Sequence, residues 1–186
     1  MRYNQIRECD IANGEGIGIA LFVQGCHFKC KNCFNPETWD FNGGKEWTPE
    51  VEDKFIELAS RPYIKRISLL GGECLADENL DGILNLVNKI RLLLPEKTIW
   101  LYTGYDFNHI MHWTQEQYDV DVHNNFRLTN TEYLRQQIIS MCDVLVDCQY
   151  IDSKRDVSLR WRGSSNQRVI DIKKSLQQNQ VILYCN

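Results

Sequence analysis

The sequence predicts an α/β protein built as a partial, open-sided (β/α) barrel of about five to six parallel strands. Three observations carry that expectation. Short apolar runs alternate with amphipathic helical stretches several times along the chain, the pattern that produces parallel strands joined by right-handed crossovers. Loops rich in cysteine, glycine or polar residues directly follow the apolar runs, and ligands of such sheets gather at the strands' carboxyl ends. The chain has 186 residues, enough for one domain spanning 1–186 but short of the ~250 that a closed eight-unit barrel takes.

Taken in order, a short strand is expected around Tyr3 to Arg7. Glycines 14, 16 and 18 then superficially resemble a phosphate loop. A dinucleotide fingerprint must follow a strand and open a helix, whereas these glycines lead into the alternating run Ile17 to Val23, so an Asn-Gly turn is the reading. Beyond the cysteines of the next loop, Asn35 to Gly44 is turn-rich and aromatic, a lid or wall rather than an element. Thr48 caps a helix with Pro49 at its first position and Glu50 in its first turn. Val51, Phe55, Leu58 and Ala59 form its buried face, and Arg61-Pro62 stops it. Ile64 to Leu70 is a strand running straight into Gly71-Gly72-Glu73-Cys74. Leu80, Ile83, Leu84, Val87 and Ile90 recur at helical spacing and place a helix over Asp77 to Leu93, ended by Pro95.

Thr98 to Tyr102 is the next strand, with Thr103-Gly104-Tyr105 at its end. His109, Met111, His112 and Trp113 fall in a short helical or irregular insertion. No carboxylate or cysteine pattern accompanies the two histidines, which are read as packing or surface groups. Thr129 with Glu132 is a capping-box signature for a helix through Ile139. The strand Asp143 to Asp147 leads into Cys148-Gln149-Tyr150. A basic stretch, Arg160-Trp161-Arg162 through Arg168, precedes two final strands, Val169 to Ile172 and Val181 to Tyr184.

Composition narrows the chemistry. No long apolar run or signal-like amino terminus occurs, so the expectation is a cytoplasmic protein with no membrane partner. The net charge of -4 gives no general attraction to phosphates and argues against nucleic acid. Eight unevenly clustered cysteines in a reducing compartment point to metal or redox chemistry rather than disulfides. Cys26, Cys30 and Cys33 stand in a CxxxCxxC arrangement on the loop after the Ile17 to Val23 strand. Three thiolates there can reach one inorganic site. An electron-transfer iron-sulfur cluster normally takes four cysteines, so one iron would be open to a substrate. The alternative is zinc, with His27, Cys9, Cys74 or Cys148 as fourth ligand, although the second cysteine hook usual in zinc knuckles is missing. Gly71 and Gly72 let the backbone approach a ligand closely, and Glu73 offers a carboxylate for an ammonium group.

The cysteine spacing together with Gly71-Gly72-Glu73 resembles the radical S-adenosylmethionine (SAM) enzymes. Asp10-Ile-Ala-Asn-Gly, Leu21-Phe-Val-Gln-Gly-Cys, Phe34-Asn35 with Trp39, Ile99-Trp-Leu-Tyr-Thr-Gly-Tyr, Asp143-Val-Leu-Val-Asp and Trp161-Arg-Gly-Ser-Ser-Asn-Gln are similar, more narrowly, to the activating proteins of anaerobic (class III) ribonucleoside-triphosphate reductases. The resemblance implies a barrel of radical SAM type, with Cys26, Cys30 and Cys33 as ligands of one 4Fe-4S cluster whose fourth iron chelates SAM. It implies Asn32, Phe34, Gly71, Gly72 and Glu73 as SAM contacts, with Thr103 and Asp147 added from their place on the rim. It further implies an oxidoreductase that cleaves SAM reductively and uses the 5'-deoxyadenosyl radical to make a glycyl radical on the reductase, its protein partner. A low-potential electron donor such as flavodoxin would feed the cluster. Arg160, Trp161 and Arg162 are the candidates for partner docking. A radical SAM enzyme acting on a small molecule such as a pterin, and a non-enzymatic zinc-binding adaptor, are the competing readings.

Overall fold

The computed structural model describes residues 1–111 and 130–185. Its framework is one open seven-stranded sheet in the order β3-β1-β2-β4-β5-β6-β7. In it, β1 (Arg2–Asp10) pairs antiparallel with both β2 (Gly18–Val23) and the short β3 (Lys45–Glu46). Next come β4 (Arg66–Gly71), β5 (Thr98–Tyr102) and β6 (Val144–Asp147), which with β2 make four consecutive parallel strands. The last, β7 (Arg168–Asp171), returns antiparallel against β6.

Among the described residues the parallel set is therefore four strands, not five or six, and antiparallel strands flank it on both sides. The reason lies in the connections. A parallel crossover needs about a dozen residues or more, usually with a helix. Only residues 11–17 separate β1 from β2, so the two can only form a hairpin. Between β6 and β7 the chain has a single 3-10 turn, Asp152–Lys154, and no crossover helix. The expected strand at Val181 to Tyr184 is reduced to an isolated antiparallel bridge between Leu183 and Ile170 beside β7.

The two faces of the sheet are distinct. Ile19, Leu21 and Val23 of β2, Ile67 and Leu69 of β4, Ile99 and Leu101 of β5, and Leu145 of β6 form one core with the helices. Those helices are α1 (Pro49–Ala59), α2 (Leu80–Leu93), α3 (Phe107–Ile110), α4 (Asn130–Ser140) and α5 (Ile172–Gln178). The alternate residues, Ala20, Phe22, Leu70, Trp100, Val144, Val146 and Val169, make smaller clusters on the other face. Burial on both faces explains why these strands read as continuous apolar runs.

Helix boundaries follow local chemistry. Thr48 caps α1 by accepting from the Val51 amide at 3.4 Å. The α2 helix begins at Leu80 rather than Asp77, because the Asn79 side chain is drawn away to donate to the Gln24 carbonyl at 3.0 Å and the Glu73 carbonyl at 2.9 Å. The predicted cap Thr129, like His112 and Trp113, lies outside the described residues; α4 itself is present from Asn130.

Candidate functional site

At the carboxyl ends of the parallel strands lies a cavity of ≈ 570 Å³. Its floor is the last inward-facing layer of the sheet, Phe22, Leu70, Tyr102 and Val146. Register places these side by side: Phe22 is opposite Leu70, and Tyr102 is opposite Val146. The loops after β2, β4, β5 and β6 form the walls.

Cys26, Cys30 and Cys33 all line this cavity. Burial pushes the Cys26 thiol up, while the Phe28 and Lys29 amides hydrogen-bond its sulfur and oppose the shift. Burial also raises Cys30, with Cys33 adding to it. The Asn35 amide donates to the Cys33 sulfur at 3.4 Å. An amide aimed at a sulfur favours the anionic, metal-binding form of a thiol. The three sulfurs do not form a tight set. Among the described residues, the only three donor atoms within 4.8 Å of one another belong to Asp106, Asp147 and Cys148. Thiolates on one tetrahedral zinc stand roughly 3.8 Å apart, given zinc-sulfur bonds of about 2.3 Å. Of the other zinc donors considered, Cys74 is buried in the helix-side core, His27 pairs with Glu78 at 3.0 Å and Cys9 is exposed, whereas Cys148 lines the same cavity.

The glycine-rich loop after β4 packs backbone to backbone on the cysteine loop. Gly72 donates to the Val23 carbonyl at 2.9 Å, and Glu73 donates to the Gly25 carbonyl at 2.7 Å. A Cβ on Gly72 would sit 2.4 Å from the Gly25 oxygen, and Gly71 has φ +109, so both positions require glycine. The Glu73 carboxylate is almost fully buried. It accepts from the Leu75 amide at 2.8 Å, the Thr103 hydroxyl at 2.7 Å and the Gly104 amide at 2.7 Å. Burial drives its pKa up, and these three donors work against that rise. Glu73 thus ties the β4 loop to the β5 loop.

The remaining wall comes from residues 148–167. Phe34 lies at the cavity mouth, 60% exposed, with its ring 5.4 Å from Tyr150 and the Arg155 guanidinium 5.8 Å above it. Trp161 and Arg162 also line the cavity. Trp161 turns inward and packs edge-on against Trp100 at 4.9 Å, while Arg160 stays exposed, 6.0 Å above the Trp161 ring. Asn32 and Asp147 are not part of the lining. Asn32 is exposed and donates to Asp152 at 2.9 Å. Asp147 is buried beneath the rim and accepts from Arg168 Nε at 3.0 Å and from the Phe107 amide at 3.0 Å. Arg168 also reaches Asp106 at 2.9 Å.

Two buried polar atoms of the lining residues, the Tyr102 hydroxyl and Arg162 Nε, have no partner among the described residues. Such orphans are rare in native interiors and mark a place for a polar ligand. Together with a three-thiol set backed by amides, they fit an iron-sulfur cluster with a polar organic cofactor beside it.

Several positions that build this end of the fold are not legible in the sequence. Arg66 is fully buried and reaches the Asp10 carboxylate at 3.0 Å and the Asp10 carbonyl at 2.8 Å, with the 10–16 loop folded around it. It falls inside the predicted Ile64 to Leu70 strand, and nothing in the sequence signals that its side chain is buried. Arg168 reads in sequence as one cation of a basic stretch, and no periodicity signals its pairing with Asp147. Cys148 follows the β6 strand and lines the cavity with φ +72, a left-handed backbone. Burial, then Asp147, pushes its thiol up to about 12.

Comparison with known proteins places this geometry in context. A family model described as a 4Fe-4S single cluster domain matches residues 12–170. The chain is 38% identical over 171 residues to a Salmonella typhi protein, covering 91% of this chain and 97% of that one. It is 37% identical over 171 residues to an Escherichia coli K12 protein, with the same 91% and 97% coverage. It is 32% identical over 169 residues to an Enterobacteria phage T4 protein, covering 91% of this chain and 93% of the phage protein. All three bear the name anaerobic ribonucleoside-triphosphate reductase-activating protein.

Proposed function

The chain belongs to the family of anaerobic ribonucleoside-triphosphate reductase-activating proteins and carries its 4Fe-4S single cluster domain, and on that footing we propose that it is a radical SAM oxidoreductase that installs a glycyl radical on an anaerobic ribonucleoside-triphosphate reductase. The observation that carries the reading is the shared cavity: three cysteines, the Gly71-Gly72 loop, and two residues with an unpartnered buried polar atom, Tyr102 and Arg162, line one space of ≈ 570 Å³, within the size range of small-molecule sites. The open sheet is read as a partial barrel of radical SAM type, and residues 1–186 as its single domain.

Cys26, Cys30 and Cys33 would hold one 4Fe-4S cluster, and Gly71, Gly72, Glu73 and Phe34 would surround SAM, with Asn32 supporting the cysteine loop from outside the cavity. When bound, the cluster and SAM supply a 5'-deoxyadenosyl radical able to take a hydrogen atom from a glycine α carbon of the reductase. The chain's own residues hold and orient. Glu73 spends its carboxylate on Thr103, Gly104 and Leu75, so its contribution is to fix two loops, leaving the Gly71-Gly72 backbone to meet the cofactor's ammonium group. Asn32 acts through Asp152, locking the cysteine loop to the opposite wall. Phe34 and Tyr150 shield the mouth from water and narrow the entry for the partner's glycine loop. A low-potential donor such as flavodoxin would reduce the cluster, and the cytoplasm is the compartment that suits both partners.

The test is anaerobic reconstitution with iron and sulfide, followed by reduction with SAM present. Methionine and 5'-deoxyadenosine are expected in a cluster-dependent reaction, with a glycyl radical signal when the reductase is added. A colourless, zinc-loaded protein that leaves SAM intact would overturn the proposal.

A further inference from the structure

Arg162 is the one cation of the 148–167 wall that the fold turns inward onto the cavity lining. The backbone around it is built for that purpose. Trp161 adopts φ +59, a left-handed conformation that costs energy for a non-glycine residue. Its ring is wedged against Trp100 at 4.9 Å and Tyr184 at 6.0 Å. On the other side, Gln167 accepts from the Gly163 amide at 2.9 Å and the Ser164 amide at 3.2 Å, and donates to the Cys148 carbonyl at 3.0 Å. Arg162 is therefore held at both neighbours.

Its side chain nonetheless has no hydrogen-bond or ion-pair partner among the described residues, and Nε is buried. Among nearby carboxylates, Glu73 accepts from three donors of its own, and Asp156, whose Oδ1 accepts from the Ser158 amide at 2.8 Å and its hydroxyl at 2.6 Å, interacts with Arg162 through charge without a hydrogen bond to it. A guanidinium facing a cavity without an acceptor is matched best by a carboxylate, which its planar fork engages through two parallel hydrogen bonds. SAM carries one anionic group, the carboxylate of its methionine half.

We propose that Arg162 anchors the carboxylate of S-adenosylmethionine, an inference that rests on the proposed function and assigns Arg162 to the cofactor rather than to partner docking. The Trp161 wedge and the Gln167 clamp position it. Arginine's fork would fix the methionine end of the cofactor while leaving the adenosyl end free to face the incoming polypeptide.

The test is a binding cycle on the anaerobically reconstituted protein, measuring the Kd for SAM and for decarboxylated SAM, which lacks only that group. Iron and sulfide content reports on the fold. Arg162→Gln is expected to weaken SAM binding roughly 10- to 100-fold, the range for a hydrogen bond to a charged group, and to leave decarboxylated SAM within about twofold of the wild type. Arg162→Lys, which keeps the charge and loses the fork, is expected to recover part of the loss. Equal weakening of both ligands, or unchanged SAM affinity in both variants, would overturn the assignment. If Arg162→Gln fails to take up its cluster, the Arg162→Lys cycle decides alone: a smaller preference for SAM over decarboxylated SAM than the wild type shows supports the proposal, and an unchanged preference overturns it. A wild-type protein that binds neither ligand would instead sink the proposed function itself.

Discussion

Three donors close on the Glu73 carboxylate, and this decides what a substitution there does. Glu73→Gln would turn an amide nitrogen toward either the Thr103 hydroxyl or the Gly104 amide, leaving one donor unanswered in a buried site. A cost of about 1 to 3 kcal/mol is expected, read as a lower Tm, together with weaker SAM binding because the two loops separate. Asp10 illustrates a different balance. Burial pushes its carboxyl up, but the Asn13 amide and the Arg66 guanidinium outweigh this and hold it below the ordinary 3.8. A carboxyl depressed in the folded state stabilises fully above its unfolded pKa, and the contribution is lost as pH falls through the lower folded value. Asp10→Asn should therefore destabilise by roughly 3 kcal/mol at pH 7, with the deficit relative to wild type shrinking as denaturation is measured at pH values below about 4. A deficit independent of pH would contradict the pairing. Neither role could be read from the residues alone. The tripeptide around Glu73 identified a loop facing a ligand, but which atoms face outward depends on Thr103, thirty positions along the chain. Arg66 and Asp10 meet only because β1 and β4 lie on either side of β2.

Among elements, the β4 loop and the cysteine loop behave as one unit. Gly72→Ala would force a Cβ to within 2.4 Å of the Gly25 carbonyl oxygen, a contact that backbone cannot relieve without moving the cysteines. The expected result is a folded protein, by circular dichroism, with a severalfold lower iron and sulfide content. Retention of a full cluster would show that the loops are independent. Most of the elements were legible because their local signals agree. Thr48-Pro49 marked the start of α1, alternation marked β2, and the 3.6-residue period marked α2. What could not be read was strand direction. The Tyr3 to Arg7 and Val169 to Ile172 runs look like any other strand, and only the length and helix content of their connections make them antiparallel. Likewise the Lys154 to Arg168 stretch reads as a solvated basic loop, because nothing in its composition tells that Trp161 folds inward onto Trp100.

At the scale of the whole molecule, the cavity walls come from four loops widely spaced in sequence and held by one sheet. A cluster that binds the folded chain and not the unfolded one adds its binding free energy to stability. Removing iron and sulfide by chelation should therefore lower the Tm, and limited proteolysis of the cluster-free protein should cut first in 26–44 and 149–163 while the sheet-forming segments persist. Equal protection with and without the cluster would argue that the walls are self-supporting. The sheet's last strand carries a consequence for the order in which the protein becomes competent. Arg168 on β7 fastens Asp147 and Asp106 beneath the rim, and Gln167 just before it clamps the far wall. During synthesis the three thiols emerge on the order of ten seconds before those fastenings at ordinary elongation rates. For that interval the nascent chain displays a bare tri-cysteine loop with no enclosing wall, open to any passing metal ion. If the proposed tri-cysteine site holds the cluster, delivery is expected after release from the ribosome, and a chain truncated before β7 should take up metal without discrimination.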